Sequence, residues 1–255
     1  MKFLVQKIDN KLTLDFCHEL VVSRIYAQWR GDDFKIKYVN NLCIPKDIKR
    51  PQQYIPVGTV EFVTDYIKTY FPEKKECLMP LNVPDCLRSY AGRYVFNIID
   101  PSDSADEYNY IKDTIKDGDK IFRKSLYKIK DESNGFTTFN SNDISNIVGY
   151  QISTEAPEIL SEWRVFVYHN KVQQVCYYDG DPLVFPDAYR IRHMVKEYSN
   201  NEAPIAYTLD VYVTDSSTYV MECHRFFSCG LYGFADNRVL PYMFSQEWHE
   251  MMTLD

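Results

Sequence analysis

The amino-acid sequence predicts an α+β protein, with a small α/β unit over residues 1–100 and a second region, 101–255, rich in antiparallel strands. Three observations carry this expectation. Strand and helix signals alternate from Met1 to Phe71. Two later stretches, Ser161–Tyr178 and Tyr207–His224, each read as a pair of strands around a polar turn. Aromatic residues are plentiful, with 21 Tyr and 15 Phe, which suits a strand-rich, well-packed core.

Taken in order, Met1–Ile8 is a short strand. Leu12–Trp29 carries apolar residues near helical spacing and reads as a helix, against its β-branched and aromatic content. Phe34–Val39 alternates as a strand, and Pro45, Pro51 and Pro56 then punctuate a loop. Thr59–Phe71 predicts an amphipathic helix, because Val60, Val63, Ile67 and Tyr70 fall on one face. Pro72 ends it. Pro80–Cys86 reads as loop, with a helical signal resuming near Leu87. The polar run Asp100–Glu107 is a linker or a cap before a helix at Tyr108–Ile115. In Lys120–Lys130, Phe122, Lys124, Leu126, Lys128 and Lys130 share strand parity. Three lysines then line one face, either a soluble edge or a surface that reaches phosphate. Asn134-Gly135 marks a turn. Gln246–Met251 reads as a terminal helix in which Trp248 packs.

Composition narrows the function classes. A net charge of −7 and a pI near 5.3 argue against duplex nucleic acid as the main partner, since phosphate backbones draw clustered Lys and Arg. No apolar run of about 18 residues is present to span a membrane. The start, MKFLVQKIDNKLTLDF, lacks the continuous apolar core of a signal peptide. Seven cysteines form an odd set without a CxxC pair, which predicts reduced thiols and a cytoplasmic location. Cys223, His224 and Cys229 are close in sequence, but a zinc knuckle needs a second ligand pair, and the sequence offers none.

The chemistry concentrates in the last third. Tyr207, Leu209, Val211 and Val213 fall on one strand face, with Thr208, Asp210 and Tyr212 on the other. Thr214–Thr218 reads as the turn. A Val213–Tyr219 pair then sets Asp210 opposite Glu222. Opposed carboxylates repel, and two readings resolve this: a hard divalent cation between them, or a wet sheet face. Arg164 sits within the alternating strand Glu162–Val167; its planar fork suits a carboxylate or phosphate, but taken alone the position reads as a solvated face.

SEWRVFV, LDVYV and MECHRFFSCGLYGF, in that order and spacing, resemble the C-terminal half of the ATP-grasp superfamily. The resemblance is to the short stand-alone ATP-grasp proteins of bacteria and their phages. Similar segments reach back to Lys120, and IPVGTVEFV at Ile55–Val63 is similar to the preceding pre-ATP-grasp region. The resemblance implies an ATP-grasp fold of two α+β lobes that hold ATP between antiparallel sheets. Its N-lobe would span 116–152 and its C-lobe 156–255, after a small α/β pre-ATP-grasp domain.

Residue roles follow from the same resemblance. Phe122-Arg-Lys124-Ser is similar to the family's F-x-[K/R]-P strand, with Ser in place of Pro, which implies a phosphate contact for Lys124. Lys128 or Lys130 would supply the second basic contact, beside a loop at Asp131–Gly135 that carries one glycine. Tyr150–Glu158 would be the hinge whose backbone meets adenine, with Glu155 and Glu158 near adenine or ribose. Arg164 takes a phosphate-facing or transition-state role. Asp210 and Glu222 match the metal-binding carboxylates, and His224 stands where the family usually has Asn. Ser228–Gly233, with Gly230 and Tyr232, would form a tight loop beside the acceptor site. The implied activity is a Mg2+-dependent ATP ligase joining a carboxylate to an amine through an acyl phosphate. Its substrates would be an amino acid, a peptide or a protein terminus. A nucleotide-binding or interaction module without ligation and a phosphotransferase are the alternatives.

Overall fold

The computed structural model describes residues 1–40, 48–74, 82–98, 105–126, 134–142, 148–201 and 203–253. Its first unit is a parallel sheet made by strands β1 (Lys2–Gln6), β2 (Lys35–Val39) and β3 (Ile55–Val57), in the order β2-β1-β3. The central strand carries Phe3, Leu4 and Val5, all fully buried, as a parallel strand covered on both faces requires. Helix α1 (Asp15–Trp29) supplies the crossover from β1 to β2. Helix α2 (Val60–Tyr70) follows β3 and starts where the Thr59 side chain accepts a hydrogen bond from the Phe62 amide. β3 corrects the expected loop at Pro56. Proline is tolerated in a strand at a sheet edge, and β3 lies at one. The helical signal near Leu87 resolves to a 3-10 turn at Asp85–Tyr90.

A second sheet follows, antiparallel, in the order β4-β7-β5-β6. It comprises β4 (Val95–Ile98), β5 (Lys120–Ser125), β6 (Gly135–Thr138) and β7 (Tyr150–Thr154). Helix α3 (Ala105–Thr114) lies between β4 and β5, and Ile111 joins Phe96, Ile121 and Ile152 in one core. β4 falls before residue 100, yet its backbone partner is β7.

The third sheet, also antiparallel, runs β11-β10-β8-β9. Its strands are β8 (Ser161–Tyr168), β9 (Lys171–Gly180), β10 (Ala206–Val213) and β11 (Thr218–Arg225). Between β9 and β10 lies helix α4 (Ala188–Ser199), absent from the expected elements. Its sequence signal is plain in retrospect: Asp187 caps it through the Tyr189 and Arg190 amides, and Ile191, Met194, Val195 and Tyr198 recur at helical spacing. These residues pack on Trp163, Val165, Val167, Leu209 and Val211. That face of the sheet is thereby covered; on the opposite face Phe166, Cys176 and Ala206 pack in the core shared with the first unit and the C-terminal helix, and Arg164, Asp210 and Glu222 lie beside them. The expected terminal helix is α5 (Leu240–Thr253), longer than Gln246–Met251. Trp248 packs on Tyr66 and Phe71, at ring distances of 5.9 and 6.1 Å, so the chain's end returns to the first unit. No helix among the described residues is long and apolar enough to cross a membrane. The five described cysteines are free thiols, and Cys17, Cys176, Cys223 and Cys229 are buried; Cys43 and Cys77 lie outside the described residues.

Candidate active site

One rung of the third sheet organises the site. Cys176, Arg164, Asp210 and Glu222 are direct cross-strand partners along β9-β8-β10-β11. The expected Asp210–Glu222 pair is present, but the expected Val213–Tyr219 pair is not. Val213 pairs with Thr218, Tyr212 with Tyr219 and Val211 with Val220. The turn is one residue tighter than expected, closed by Thr214 N–H to the Ser217 carbonyl at 2.9 Å. A bulge between Val220 and Glu222 restores the count, leaving Met221 as the extra residue.

Neither Arg164 nor Asp210 lies on a wet face. Asp210 is 0% exposed and Arg164 8%. Arg164 Nε donates to Asp210 Oδ1 at 2.7 Å and Nη2 to Oδ2 at 2.6 Å, a bidentate pair, while Nη1 donates to the Gly230 carbonyl at 3.0 Å. Burial works against the Arg164 charge, but its hydrogen bonds to Asp210 and that residue's charge outweigh it and raise the guanidinium pKa. Arg164 therefore orients Asp210, a role beyond the expected phosphate contact.

Glu222 faces across to the second sheet, where it forms an ion pair with Lys124 of β5. Its other oxygen lies 2.7 Å from His224 Nε2. One ligand atom each from Asp210, Glu222 and His224 lies within 4.8 Å of the others, and this is the metal-type cluster found among the described residues. Two carboxylates on one rung are compatible with folding because Arg164 and Lys124 neutralise them. The same oxygens suit a hard divalent cation such as Mg2+. His224 is the less suited member, since imidazole matches softer ions.

Aromatic rings close one side. Tyr232 and Tyr178 stack at 5.0 Å, and the Arg164 guanidinium lies 4.9 Å from the Tyr232 ring centre and 5.9 Å from that of Tyr178. The Tyr178 hydroxyl donates to Glu162, and burial together with that bond raises its pKa. Tyr178 and Glu162 were not anticipated, although Glu162 shares strand parity with Arg164. The Ser228–Gly233 loop is tied to the first unit. Ser228 Oγ donates to the Gly58 carbonyl at 2.7 Å, and the Leu231 amide donates to Asp15 Oδ2 at 2.6 Å. Of its glycines, only Gly233 is left-handed, at φ +88. Ser228 and Tyr232 carry the other positive φ values, 50 and 46, and at Gly230 a Cβ would meet the Tyr232 ring at 3.3 Å.

The remaining expected residues fall elsewhere. Glu155 is ion-paired with Lys120 at 2.6 Å, both more than half exposed, and Glu158 is exposed on the connector to β8. Tyr150–Thr154 is not a hinge: it is β7, whose backbone pairs on both sides with β4 and β5. The connector begins only at Glu155. Lys128, Lys130 and most of the Asp131–Gly135 loop lie outside the described residues. Asn134 is described, and its side chain accepts from the Ser125 amide at 2.6 Å, at the end of β5.

Two antiparallel sheets thus meet across the Lys124–Glu222 ion pair, beside a cluster of two carboxylates and a histidine of which Asp210 is fully buried. Residues 97–242 match the family described as ATP-grasp domain, R2K clade family 2. The chain belongs to that family of the ATP-grasp superfamily. Comparison with curated proteins gives no match. Among solved structures, D-cycloserine synthetase DcsG is similar at TM-score 0.55 and 9% identity, covering 99% of this chain and 100% of that one. The D-alanine–D-alanine ligase of Bacillus anthracis complexed with ATP gives 0.53 at 10% identity, covering 99% and 98%. A RimK-domain ATP-grasp protein from Sphaerobacter thermophilus DSM 20745 gives 0.51 at 11%, covering 99% of both. These likenesses show the ATP-grasp fold, an α+β architecture over nearly the full chain.

Proposed function

We propose that this protein is an ATP-dependent carboxylate–amine ligase that works through an acyl phosphate. The observation that carries the reading is the opposition of Lys124 on one sheet to the Asp210–Glu222–His224 cluster on the other. Membership of the ATP-grasp superfamily supports ATP as the phosphoryl donor. The ligase and synthetase activities named for the similar structures support amide formation.

In the first step a substrate carboxylate oxygen attacks the γ-phosphorus of ATP, and the bond to the ADP oxygen breaks. In the second, an amine attacks the acyl carbon, the carbon–oxygen bond to phosphate breaks, and the amine gives up a proton. The products are an amide, ADP and phosphate. Lys124 leaves its partner Glu222 to neutralise charge on the transferring phosphoryl group, because fixed cations stabilise such transition states most. Arg164 holds Asp210 in place and keeps further N–H donors beyond its three bonds for phosphate oxygens. Asp210 and Glu222, with His224 beside them, would hold Mg2+, which supplies charge neutralisation at the phosphates. Lys128 or Lys130 would contribute a second cation in the same scheme, and Glu155 or Glu158 would contact adenine or ribose. The Ser228–Gly233 loop, with Tyr232 over Arg164, borders the acceptor.

The test is product identity. Protein, Mg2+ and ATP are incubated with panels of amino acids and peptides, with hydroxylamine present to trap an acyl phosphate as hydroxamate. Hydroxamate and amide formation coupled to ADP release is expected. ADP release with a phosphorylated alcohol and no hydroxamate would instead identify a phosphotransferase.

A further inference from the structure

The bulge in β11 decides where Glu222 points, and it is braced from outside the sheet. With the register of the hairpin end continued, Asp210 would face Met221. Glu222 would then pair with Leu209 and point into the apolar face packed on α4. A one-residue slip moves every following side chain to the other face. The carboxylate cluster therefore exists only because Met221 is looped out.

The turn Ala91-Gly92-Arg93 grips that position. Arg93 Nη1 donates to the Val220 carbonyl and Nη2 to the Met221 carbonyl, both at 3.3 Å, and Nη1 also donates to the Ala91 carbonyl at 3.3 Å. Its guanidinium lies 5.5 Å from the Tyr212 ring centre, and the Tyr212 hydroxyl donates to the Ala91 carbonyl at 2.6 Å. Gly92, at φ +65, lets the turn approach: a Cβ there would meet the Tyr219 ring at 2.6 Å. Beyond the bulge, the Cys223 amide donates to the Asn82 carbonyl at 2.5 Å, and the Asn82 side chain donates to the Ser125 carbonyl at 3.2 Å. Asn82 thus joins the residue after Glu222 to the residue after Lys124.

We infer that Arg93 is a positioning residue: its forked guanidinium holds the extra residue of β11 and so keeps Glu222 on the face of Asp210. β11 is the edge of its sheet, with no further strand among the described residues to bond its outward carbonyls, and Arg93 donates to two consecutive carbonyls at the bulge from one rigid plane. Lysine carries the charge but lacks the fork. The inference rests on the metal-dependent reading of the site for its functional consequence and on geometry alone for its structural one.

The experiment compares Arg93→Lys and Arg93→Met with wild type by two measurements. Amide hydrogen exchange is followed along β11 and, as a control, along the β8–β9 hairpin. Mn2+ affinity is measured by electron paramagnetic resonance with ATP present, alongside metal-free ATP affinity. Arg93→Met is expected to speed exchange at Val220–Cys223 while β8–β9 is unchanged, and to weaken Mn2+ by about 10-fold, the low end of the loss seen when a group supporting a ligand is removed. Metal-free ATP affinity should stay the same, and Arg93→Lys should rescue little. Unchanged exchange at Val220–Cys223 in Arg93→Met overturns the inference, whatever the metal result. Loss of protection throughout both hairpins also overturns it, by showing general destabilisation. If wild type binds no Mn2+, the metal reading of the site fails, while the exchange comparison still decides the role of Arg93.

Discussion

Replacing Asp210 by Asn should destabilise the protein severely, and for a reason that needs no ligand. Arg164 and Asp210 have side chains 10% and 1% exposed, and Arg164 donates two hydrogen bonds of 2.7 and 2.6 Å to the carboxylate. An arginine does not shed its proton, so Asn leaves a buried cation with only uncharged acceptors, the Asn carbonyl and that of Gly230. Removing one member of a buried pair costs about 3–5 kcal/mol. At about 2–4 °C per kcal/mol for a chain of this size, the melting temperature should fall by about 6–20 °C. The double change Arg164→Met with Asp210→Leu removes both charges and fills the space with apolar atoms. It should cost at least about 2 kcal/mol less than the sum of the single changes, because the uncompensated charge is gone. Differential scanning calorimetry of wild type, Arg164→Met, Asp210→Leu and the double variant gives the cycle, with Asp210→Asn measured alongside. A single-variant loss under about 1 kcal/mol, as for surface pairs, or simple additivity would refute the buried-pair argument.

Three further outcomes are expected. Lys124→Met should weaken metal-free ATP binding by about 10-fold, the worth of a charge-assisted hydrogen bond, and an unchanged calorimetric affinity would remove Lys124 from the phosphate site. Glu247, buried on α5, accepts from the Ala206 amide at 3.1 Å and Arg225 Nη1 at 2.8 Å. Burial, partly offset by Arg225, pushes its carboxyl from 4.5 up to about 7. Its contribution is therefore complete below the unfolded pKa and is lost as pH rises through about 7. Relative to Glu247→Gln, urea titrations should find wild type losing about 3 kcal/mol from pH 4.5 to 8; equal slopes in the two proteins would contradict this. Gly180→Ala, at φ +84 and with a Cβ that would meet the Leu160 carbonyl oxygen at 2.3 Å, should cost about 1–3 kcal/mol or more. A urea midpoint unchanged from wild type would show that β9 relaxes freely there.

The strands of the third sheet are legible because Trp163, Val165 and Val167 on β8 and Tyr207, Leu209, Val211 and Val213 on β10 recur with period two, which sets Arg164 and Asp210 on the other face, although Phe166 on that face is buried as well. Hairpin register is not. Parity reports which face a residue takes on a regular strand, and Met221 breaks regularity without a glycine or proline to mark it. The Asp210–Glu222 pair was reached through a turn counted one residue too long, which the bulge offsets. Pro56 reads as a breaker, and only the position of β3 at a sheet edge makes it a strand residue. Tyr150–Glu158 reads as a hinge, whereas the buried side chains and paired backbone of its first five residues, Tyr150–Thr154, make them the strand between β4 and β5. α4 was written in its cap and spacing and went unread. The ties that set the loop were beyond reach: Ser228 to Gly58 and Leu231 to Asp15 span 170 and 216 residues of chain, and no local pattern encodes such contacts.

Calorimetry of ATP binding with and without Mg2+, in wild type and Glu222→Gln, tests the central claim most directly. The account predicts a micromolar Kd, about −8 kcal/mol, with Mg2+ and weaker binding without it in wild type, and in the variant a weaker binding that Mg2+ no longer strengthens. No binding of ATP by wild type under either condition would contradict it and leave the facing sheets as a fold put to another use.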